Sequence, residues 1–579
     1  MDLEVLSVEQ LMQKKVEKSI VILDQLSPDE LIHFFSKKFL STVFILVFQG
    51  EVLISMIPDR KSDFCQHCLL ERFLYSRESK YKYKELWSSQ APSISTDSMK
   101  SLYLQVAINI LREGNEQAAI VNRSNGDIIW SQVRSCEGCS LCYKGKIHDT
   151  GKISLVTKNY KRQENGFRTL GAKQTSNLLM SLVNPLGPVI ELEDDQLVDK
   201  LCLPVYQSSI GINPLLKGFR FHGGKGRTNI QAKFSAIGEA MERYNAQQFG
   251  NEIGIATSFN ELKKNKKVLN PRLLTLDPNY PTVYSDDLVI DWVPGINLNT
   301  DEKVWLPANA VFFVYHAKEN SAEFMPQDTT GLASGTNEDE AILQGMLEVI
   351  ERDAYTIYYR NKIQCSQILV SDIFDENIKS LVKNLKEKKI KVNLKLLKTD
   401  LNVYVVHCTT EDEEKHFPIY THGAGASLNI LVAISRAITE CVQLRTSQLK
   451  IEKHKELFTN DLEYQPYLSW GNGDKEAVYP FLNGYADEIV DLTKCVDLST
   501  GDLKGDIEYM VNDLSRHGFT VYCASLSRDD NPIATTRTII PGLQPADDTL
   551  RRNTERMDSV SKLLNSNCSG KLNERRLFS

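Results

Sequence analysis

The spacing of hydrophobic and polar positions divides the chain near residue 150. Before that point short apolar runs alternate with turn residues, and two pairs of runs predict β-hairpins over residues 42–57 and 117–132. Each hairpin carries a glycine near its tip, where a tight turn needs a permissive backbone. We therefore predict a small, separate α/β domain over residues 1–150.

Beyond residue 180 the pattern alternates between strand-like runs and long stretches with a helical period. A polar segment over residues 158–177 precedes this part of the chain and is the candidate linker. The predicted strands are 288–294, 303–312, 392–408 and 519–525, and the predicted helices are 231–248, 338–360, 374–388, 430–449 and 504–516. This mixture predicts one large α+β domain over residues 151–579.

Composition narrows the class of protein. The 579 residues include 68 Lys and Arg against 75 Asp and Glu, a net charge of −7, with 42% hydrophobic residues. Such a chain can bury a core, and its lack of a basic excess disfavours nucleic acid as a partner.

The N-terminus has no apolar run, and the apolar stretch Thr42–Phe48 is too short to cross a bilayer. We expect a cytoplasmic protein that does not bind membranes.

Five of the twelve cysteines are clustered. Cys65 and Cys68 form one Cys-x-x-Cys pair, and Cys136, Cys139 and Cys142 form a second run at the same spacing. Two thiolate pairs suit a closed tetrahedral site for structural Zn²⁺, so four of the five are predicted ligands and one is surplus. The alternatives are unliganded cysteines in a small core or a redox-active pair.

Three predicted helices carry polar stripes. At 100° per residue, Ser235, Glu239 and Glu242 fall within about 60° of one another, opposite an apolar face. A second stripe follows the helix that begins near residue 338, and a third follows the helix that begins near residue 430. The second stripe comprises Glu340, Gln344, Glu348 and Glu351, and the third comprises Arg436, Glu440 and Gln443. Arg445 falls on the opposite face of the third helix.

The first two stripes share the pattern Glu-x-x-Glu-Arg, in which Arg243 follows Glu242 and Arg352 follows Glu351. This repetition suggests two pseudo-symmetric halves. Glycine-rich segments precede all three helices, and one of them contains Lys225. Another, residues 423–427, is predicted to be a turn that approaches a ligand closely. Carboxylates hold hard cations, whereas Lys, Arg and free backbone N–H groups hold phosphate, so the set favours a site for Mg²⁺ and a polyphosphate. The alternative for each helix alone is an ordinary solvent-facing salt-bridge pattern.

The runs GGKGRTNIQAKFSAIGEAMERYNA, TGLASGTNEDEAILQGMLEVIERDA and GAGASLNILVAISRAITECVQLR resemble, in order and spacing, the three motifs of the YcaO superfamily. The resemblance covers roughly residues 180–565. It implies an α+β fold with an ATP site between two groups of helices. The implied ATP-binding residues are Lys225, Ser235, Arg243, Glu340, Gln344, Arg352, Arg436 and Glu440, and the implied Mg²⁺ ligands are Glu239, Glu242, Glu348 and Glu351.

The first cysteine pair lies in PDRKSDFCQHCLLERFL, which resembles the zinc-binding docking part of YcaO proteins from thiazole/oxazole-modified peptide pathways. The resemblance implies a cyclodehydratase. A Cys, Ser or Thr side chain of a ribosomal precursor peptide attacks the preceding carbonyl, the resulting oxygen takes the γ-phosphoryl group of ATP, and loss of phosphate leaves an azoline. Implied partners are the precursor with its leader and a leader-binding protein that is E1/ThiF-like or contains a leader-recognition element. A homodimer is the default expectation.

Two departures from the family pattern leave alternatives open. Many azoline-forming members end in a proline-rich tail, whereas this sequence has no proline after Pro545, so the Ser579 carboxylate is the candidate substitute. The family often has Asn at the position of Thr336, and here Asn337 comes one residue later. The alternatives are ATP-dependent thioamide or amidine formation on a peptide, and a non-catalytic scaffold of a peptide-modifying complex.

Overall fold

A computed structural model describes seventeen stretches of the chain. They are residues 4–6, 19–23, 42–48, 50–56, 65–77, 97–113, 117–137, 139, 147–155, 162–163, 166–167, 170, 172–211, 221–453, 465–474, 485–546 and 554–564. Cys142 and Ser579 therefore lie outside the described residues. In the described part, no helix is long and apolar enough to cross a membrane.

The described helices are α1 Gln66–Arg77, α2 Asp97–Glu113, α3 Ala172–Met180, α4 Asn229–Asn245, α5 Phe259–Leu262, α6 Ala308–Val311, α7 Glu338–Asn361, α8 Glu376–Glu387, α9 Ile430–Lys453, α10 Gln465–Gly471, α11 Leu503–Arg516 and α12 Glu555–Leu563. The strands are β1 Glu4–Leu6, β2 Ser19–Leu23, β3 Thr42–Val47, β4 Glu51–Met56, β5 Gln117–Asn122, β6 Ile128–Gln132, β7 Arg162–Gln163, β8 Gly166–Phe167, β9 Val189–Asp194, β10 Val205–Ile210, β11 Phe221–Lys225, β12 Ile255–Ser258, β13 Val289–Asn297, β14 Glu302–Pro307, β15 Leu332–Gly335, β16 Cys365–Ile368, β17 Ile390–Leu396, β18 Tyr404–Asp412, β19 Tyr420–Ser427, β20 Tyr485–Ile489, β21 Tyr522–Ser525 and β22 Ala534–Ile539.

The N-terminal sheet has the strand order β1-β2-β3-β4-β5-β6. Its first three strands are parallel, and the two predicted hairpins, β3–β4 and β5–β6, supply its antiparallel half. All six residues of β3 are buried because α1 packs on one face of the sheet and α2 on the other. A strand covered on both faces needs an unbroken apolar run, as the sequence of β3 has.

In the described part of the chain, the two-stranded sheet β7-β8, one further small sheet and two larger sheets follow. The small sheet is β11-β10-β9; the first large sheet is β12-β13-β21-β22-β15, with β14 paired to β13; the second large sheet is β19-β18-β17-β16-β20. Helix α7 contacts β15 and β22 of the first large sheet and β19 of the second. It therefore runs through the centre of the main core, and its apolar residues Ile342, Met346 and Ile350 are almost fully buried.

The observed elements confirm the predicted α+β class, and all five predicted helices are present within a few residues of their expected ends. Two strand predictions were wrong in part. The strand expected over residues 303–312 ends at Pro307, where α6 begins, and the run expected over 392–408 is two antiparallel strands, β17 and β18. The candidate linker over 158–177 contains the start of α3. The domain boundary at residue 150 stays a prediction.

Candidate functional site

Helix α4 presents the first stripe. Thr228 caps its N-terminus by accepting a hydrogen bond from the Gln231 N–H, which satisfies one of the free donors of the first turn. Ala236, Ile237, Ala240 and Met241 are fully buried on one side of the helix. The stripe of Ser235, Glu239 and Glu242 lies on the other side and stays half-buried, so the predicted amphipathic arrangement is present.

Helix α7 presents the second stripe. Asn337 caps it by accepting from the Glu340 N–H at 3.0 Å, and the Glu340 carboxylate reaches back to accept from the Thr336 N–H, also at 3.0 Å. The first bond caps the helix and the second holds the residue before the cap, so Glu340 fixes the helix start as well as its place in the stripe. Gln344, Glu348 and Glu351 continue the stripe along three further turns.

Helix α9 presents the third stripe and joins the other two. Its Glu440 pairs with Lys225 of β11, with 2.6 Å between Nζ and Oε2. Its Arg436 donates to the Gln344 side chain of α7, with 2.7 Å between Nη1 and Oε1. Residues that are far apart in the sequence therefore converge on one site, with α4, α7 and α9 around it.

Burial raises the pKa of the clustered carboxyl groups. The pKa of Glu242 rises to about 8, chiefly because burial disfavours the charged form and although Arg243 opposes the shift. Glu348 rises to about 7 for the same reason, with Arg352 opposing. The pKa values of Glu239 and Glu351 are raised as well. Burial acts the same way on Glu440, but Lys225 and Arg352 outweigh it and leave its pKa lowered.

Two arginines supply counter-charge within the site. Arg243 pairs with Glu242 and lies 3.9 Å from the Glu239 carboxylate. Arg352 lies 4.0 Å from both Glu348 and Glu351. In each case the arginine sits against the carboxylates of its own helix. The two Glu-x-x-Glu-Arg segments therefore have similar local geometry in the structure, as their shared pattern predicts.

The donor set fits a hard divalent cation and a polyphosphate. Glu239, Glu242, Glu348 and Glu351 offer carboxylate oxygens, the ligands that Mg²⁺ prefers. Within the described residues, no three stripe carboxylates lie within 4.8 Å of one another. The carboxylates are spread along the site, which suits Mg²⁺ because it commonly takes only one or two protein carboxylates together with substrate phosphates.

The glycine-rich segments have a different role from the one expected. A Cβ at Gly423 would meet Glu440 and the backbone of α9, with contacts near 2.6 Å. A Cβ at Gly224 would lie 2.1 Å from the Ala236 nitrogen of α4. These glycines lie in strands and let β19 and β11 pack directly on the stripe helices. The expected ligand-facing turn at residues 423–427 is wrong, because this segment is the strand β19.

Two arginines that sequence reasoning left out or left unexplained have clear places. Arg537 on β22 was missed; it contributes to the electrostatics of Glu348 and donates to Asp328, with 2.6 Å between Nη2 and Oδ1. Its only sequence signal is a lone cation in a threonine-rich run. Arg445 lies on the buried side of α9, 2.9 Å from Asp199 and 3.1 Å from Asp412. Its ion pairs therefore stabilise the packing of α9 against these two segments.

The cysteine cluster assembles as predicted for three of its members. The Cys65 sulfur lies 3.7 Å from that of Cys68 and 3.6 Å from that of Cys139. Four thiolates bound to one Zn²⁺ at ~2.3 Å stand roughly 3.8 Å apart, so these spacings fit a tetrahedral site. Cys136 instead directs its sulfur at the Cys68 carbonyl, and its N–H donates to the Cys68 sulfur at 3.2 Å. Among the described cysteines of the cluster, Cys136 is therefore the one whose sulfur lies outside the converging group of three.

A family model described as YcaO cyclodehydratase, ATP- and Mg²⁺-binding, matches residues 223–544, which contain all three stripes. The chain belongs to the YcaO family. The resemblance inferred from the three motifs is thereby confirmed, and the chain is an ATP-dependent enzyme of this family.

The chain is also similar to a curated protein in sequence and to two solved structures in fold. An uncharacterised protein from Methanothermobacter thermautotrophicus is 29% identical over 351 residues, which make up 60% of this chain and 87% of that protein. A solved heterocyclase in complex with substrate and cofactor is similar in fold, with a TM-score of 0.83 and 19% identity over 99% of this chain and 85% of its own. The heterocyclase TruD follows with a TM-score of 0.69 and 16% identity, over 97% of this chain and 79% of its own.

Proposed function

We propose that this protein uses ATP and Mg²⁺ to cyclodehydrate Cys, Ser or Thr residues of a ribosomally made precursor peptide, giving thiazolines or oxazolines. The observation that carries the proposal is the convergence of the three family motifs on one site, joined by the Lys225–Glu440 and Arg436–Gln344 contacts. A site that combines carboxylates with Lys and Arg suits transfer of a phosphoryl group, because both the nucleotide and its metal must be held.

In this proposal some residues of the site bind the metal and others bind the nucleotide. Glu239, Glu242, Glu348 and Glu351 hold Mg²⁺, which offsets phosphate charge when it is bound. Six further polar residues bind the nucleotide and hold its phosphates in line with the peptide oxygen, a task of positioning and electrostatics. These are Lys225, Ser235, Glu340, Gln344, Arg436 and Glu440. Arg243 and Arg352 hold the carboxylates of their own helices and, in this proposal, also bind the nucleotide.

Structural zinc is the second part of the proposal. Cys65, Cys68 and Cys139, whose sulfur atoms lie within 4.8 Å of one another, are three of the ligands in this proposal. Cys142 is assigned as the fourth because it continues the second cysteine run in the sequence. Cys136 supports the site through its N–H bond to the Cys68 sulfur, because such bonds orient a metal ligand and stabilise its thiolate. The partners in this proposal are the precursor peptide, a leader-binding protein and a second copy of the chain, in the cytoplasm.

Mass spectrometry tests the reaction. The purified protein, ATP and Mg²⁺ are incubated with a Cys/Ser/Thr-rich precursor encoded beside its gene and with the leader-binding protein encoded there. We expect a loss of about 18 Da per modified residue, since each phosphoryl activation ends in loss of water from the peptide. A gain of about 16 Da would instead indicate exchange of oxygen for sulfur. An unmodified peptide, with ATP turnover absent as well, would support the scaffold alternative. The matched control omits ATP.

A further inference from the structure

A buried charged contact joins the cysteine cluster to the helix that carries the first stripe. Arg72 lies on α1 one turn after Cys68, and its Nη2 is 2.9 Å from Oδ2 of Asp530. The Tyr244 hydroxyl of α4 donates to the same Asp530 oxygen at 2.5 Å. The Arg72 and Asp530 side chains are 4% and 0% exposed, so the contact is fully inside the protein.

The same guanidinium also holds the backbone beside the second cysteine run. Arg72 donates from Nε to the Arg134 carbonyl at 3.4 Å and from Nη2 to the carbonyl of Ser135, the residue before Cys136. One side chain thus contacts the loop that leads to Cys139 and the end of α4, which it reaches both directly, by a 3.2 Å bond to the Tyr244 hydroxyl, and through Asp530. A displacement of that loop would move Arg72 or break its bonds.

A second arginine contacts the same loop and the same end of α4. Arg528 lies 4.0 Å from Glu137, the residue after Cys136, and 2.9 Å from Glu252. It donates to the Asn245 and Gln247 carbonyls at the C-terminal end of α4. The loop that leads to Cys139, called the cysteine loop below, is therefore linked to the C-terminal end of α4 through two arginines. Both arginine contacts are almost completely buried.

The anchored end of α4 is close to the first stripe. Tyr244 comes two residues after Glu242, on the buried side of the helix, so its hydroxyl contact limits rotation and sliding of α4. A shift by one residue would move a side chain by 1.5 Å along the axis and rotate it by 100°. A misplacement of about 1 Å is enough to impair a phosphoryl-transfer site.

We propose that Arg72, Asp530 and Tyr244 form a positioning junction through which metal binding at the cysteine cluster strengthens nucleotide binding. With Cys65, Cys68 and Cys139 tied to one ion, α1 and the cysteine loop keep Arg72 against Asp530, and α4 keeps Glu239 and Glu242 in register. Loss of the ion frees the loop and loosens that end of α4. This inference rests on the proposed zinc and nucleotide sites, and the three residues act through α4 without contacting the nucleotide.

The test measures nucleotide affinity with and without zinc. Zinc is removed from the full-length protein with a chelator, the chelator is dialysed away, Mg²⁺ is restored, and the Kd of a non-hydrolysable ATP analogue is measured by calorimetry. The test variant is Tyr244→Phe, which deletes one oxygen and leaves the packing unchanged. The control is Tyr315→Phe, because Tyr315 is also buried and its hydroxyl donates to Asp291 at 2.7 Å, away from the junction.

We expect zinc removal to raise the Kd roughly tenfold in the wild type and in Tyr315→Phe, a usual size for coupling between two sites. In Tyr244→Phe the Kd is already raised by a similar factor with zinc present, and zinc removal changes it less than about twofold. Arg72→Lys keeps the charge but cannot reproduce the bonds of a guanidinium, so we expect it to behave like Tyr244→Phe.

The outcomes separate this inference from its premises. If zinc removal weakened nucleotide binding equally in Tyr244→Phe and in the wild type, the positioning junction would be wrong. The proposed zinc and nucleotide sites would both stand. A wild-type Kd that does not respond to zinc would overturn it too. A purified protein without zinc would remove the proposed metal site, and a zinc-loaded protein that does not bind the nucleotide analogue would remove the proposed nucleotide site; either result also ends the inference.

Discussion

The surroundings of each stripe glutamate favour the binding of a divalent cation. A glutamate in this site is buried enough for its pKa to be raised, and it lies beside an arginine that favours its charged form. Neither environment alone suits a metal ligand, since full burial would keep the acid neutral and full exposure would leave it loosely held. The combination leaves carboxylates that ionise readily once a divalent cation is present.

The first prediction concerns Glu239→Gln and Glu348→Gln. Each substitution keeps the shape of the side chain and removes the charge, so we expect ATP turnover to fall by roughly 100-fold or more. The melting temperature should not fall, because glutamine resembles the neutral acid that burial already favours. The measurements are phosphate release and thermal unfolding.

The control for this prediction is Glu261→Gln, at an exposed surface pair with Lys264 outside the site. Its ATP turnover should match the wild type. If phosphate release by Glu239→Gln and Glu348→Gln stayed within about threefold of the wild type, the assignment of these residues to Mg²⁺ would be wrong.

At the scale of elements, close packing between strand and helix sets the geometry of the site. We predict that Gly224→Ala lowers the free energy of unfolding by about 1–3 kcal/mol, because its Cβ would lie 2.1 Å from the Ala236 nitrogen, which cannot move aside. Nucleotide affinity should fall with it, since β11 carries Lys225. Denaturant unfolding and calorimetry measure the two effects.

Gly238→Ala is the matched control for that substitution. Gly238 lies inside α4, and its Cβ would make only an ordinary 3.4 Å contact with the Ser334 side chain. Because alanine favours a helix more than glycine does, the free energy of unfolding should stay the same or rise by up to about 1 kcal/mol. Equal destabilisation by both substitutions would show that strand-to-helix packing at Gly224 is not the cause.

The segment 147–155 contacts the first large sheet, where the Thr150 carbonyl accepts from the Ser525 N–H at 2.7 Å, and its His148 predicts a pH dependence. Burial, helped by Arg528, lowers the pKa of His148 to about 4, and its Nε2 lies 3.1 Å from the Ser525 carbonyl. The unfolded chain therefore binds a proton at a higher pH than the folded protein does. The stability due to the neutral ring is complete above pH ~6.5 and is lost as the pH falls towards 4.

The measurement compares the free energy of unfolding at pH 7 and pH 5 for the wild type and His148→Gln. The wild type should lose up to about 2 kcal/mol more than the variant between these values. His316→Gln, at an exposed side chain, is the control and should follow the wild type. If the wild type lost no more unfolding free energy between pH 7 and pH 5 than His148→Gln does, His148 would not be the source of the pH dependence.

At the scale of the whole molecule, the cysteine cluster predicts a dependence on metal. We expect about one zinc per chain by elemental analysis, and loss of both the zinc and several degrees of melting temperature in Cys65→Ser, because a structural zinc site contributes folding free energy directly. Cys202→Ser, at an exposed cysteine outside the cluster, should keep its zinc and its stability. Wild-type protein without zinc would contradict the prediction.

The sequence predicted the elements of this molecule better than their contacts. The helices were found because apolar periodicity is a local property, and the stripes followed from the same 100° step. The strand expected over 303–312 failed after Pro307, where a short helix begins, because a mixed apolar run of that length suits either structure. The ligand-facing turn expected at 423–427 failed because glycine favours close packing and turns alike.

The sequence by itself determined the α+β class, the family, the three stripes and the two cysteine runs, because each of these depends on the spacing of residues within single segments of the chain. Only the tertiary structure decided which stripes face one another, that the Cys136 sulfur is directed at the Cys68 carbonyl, that Arg445 forms buried ion pairs and that Arg72 reaches Asp530. These are contacts between residues tens to hundreds of positions apart. No local periodicity encodes them, because they depend on how the sheets pack around α4, α7 and α9.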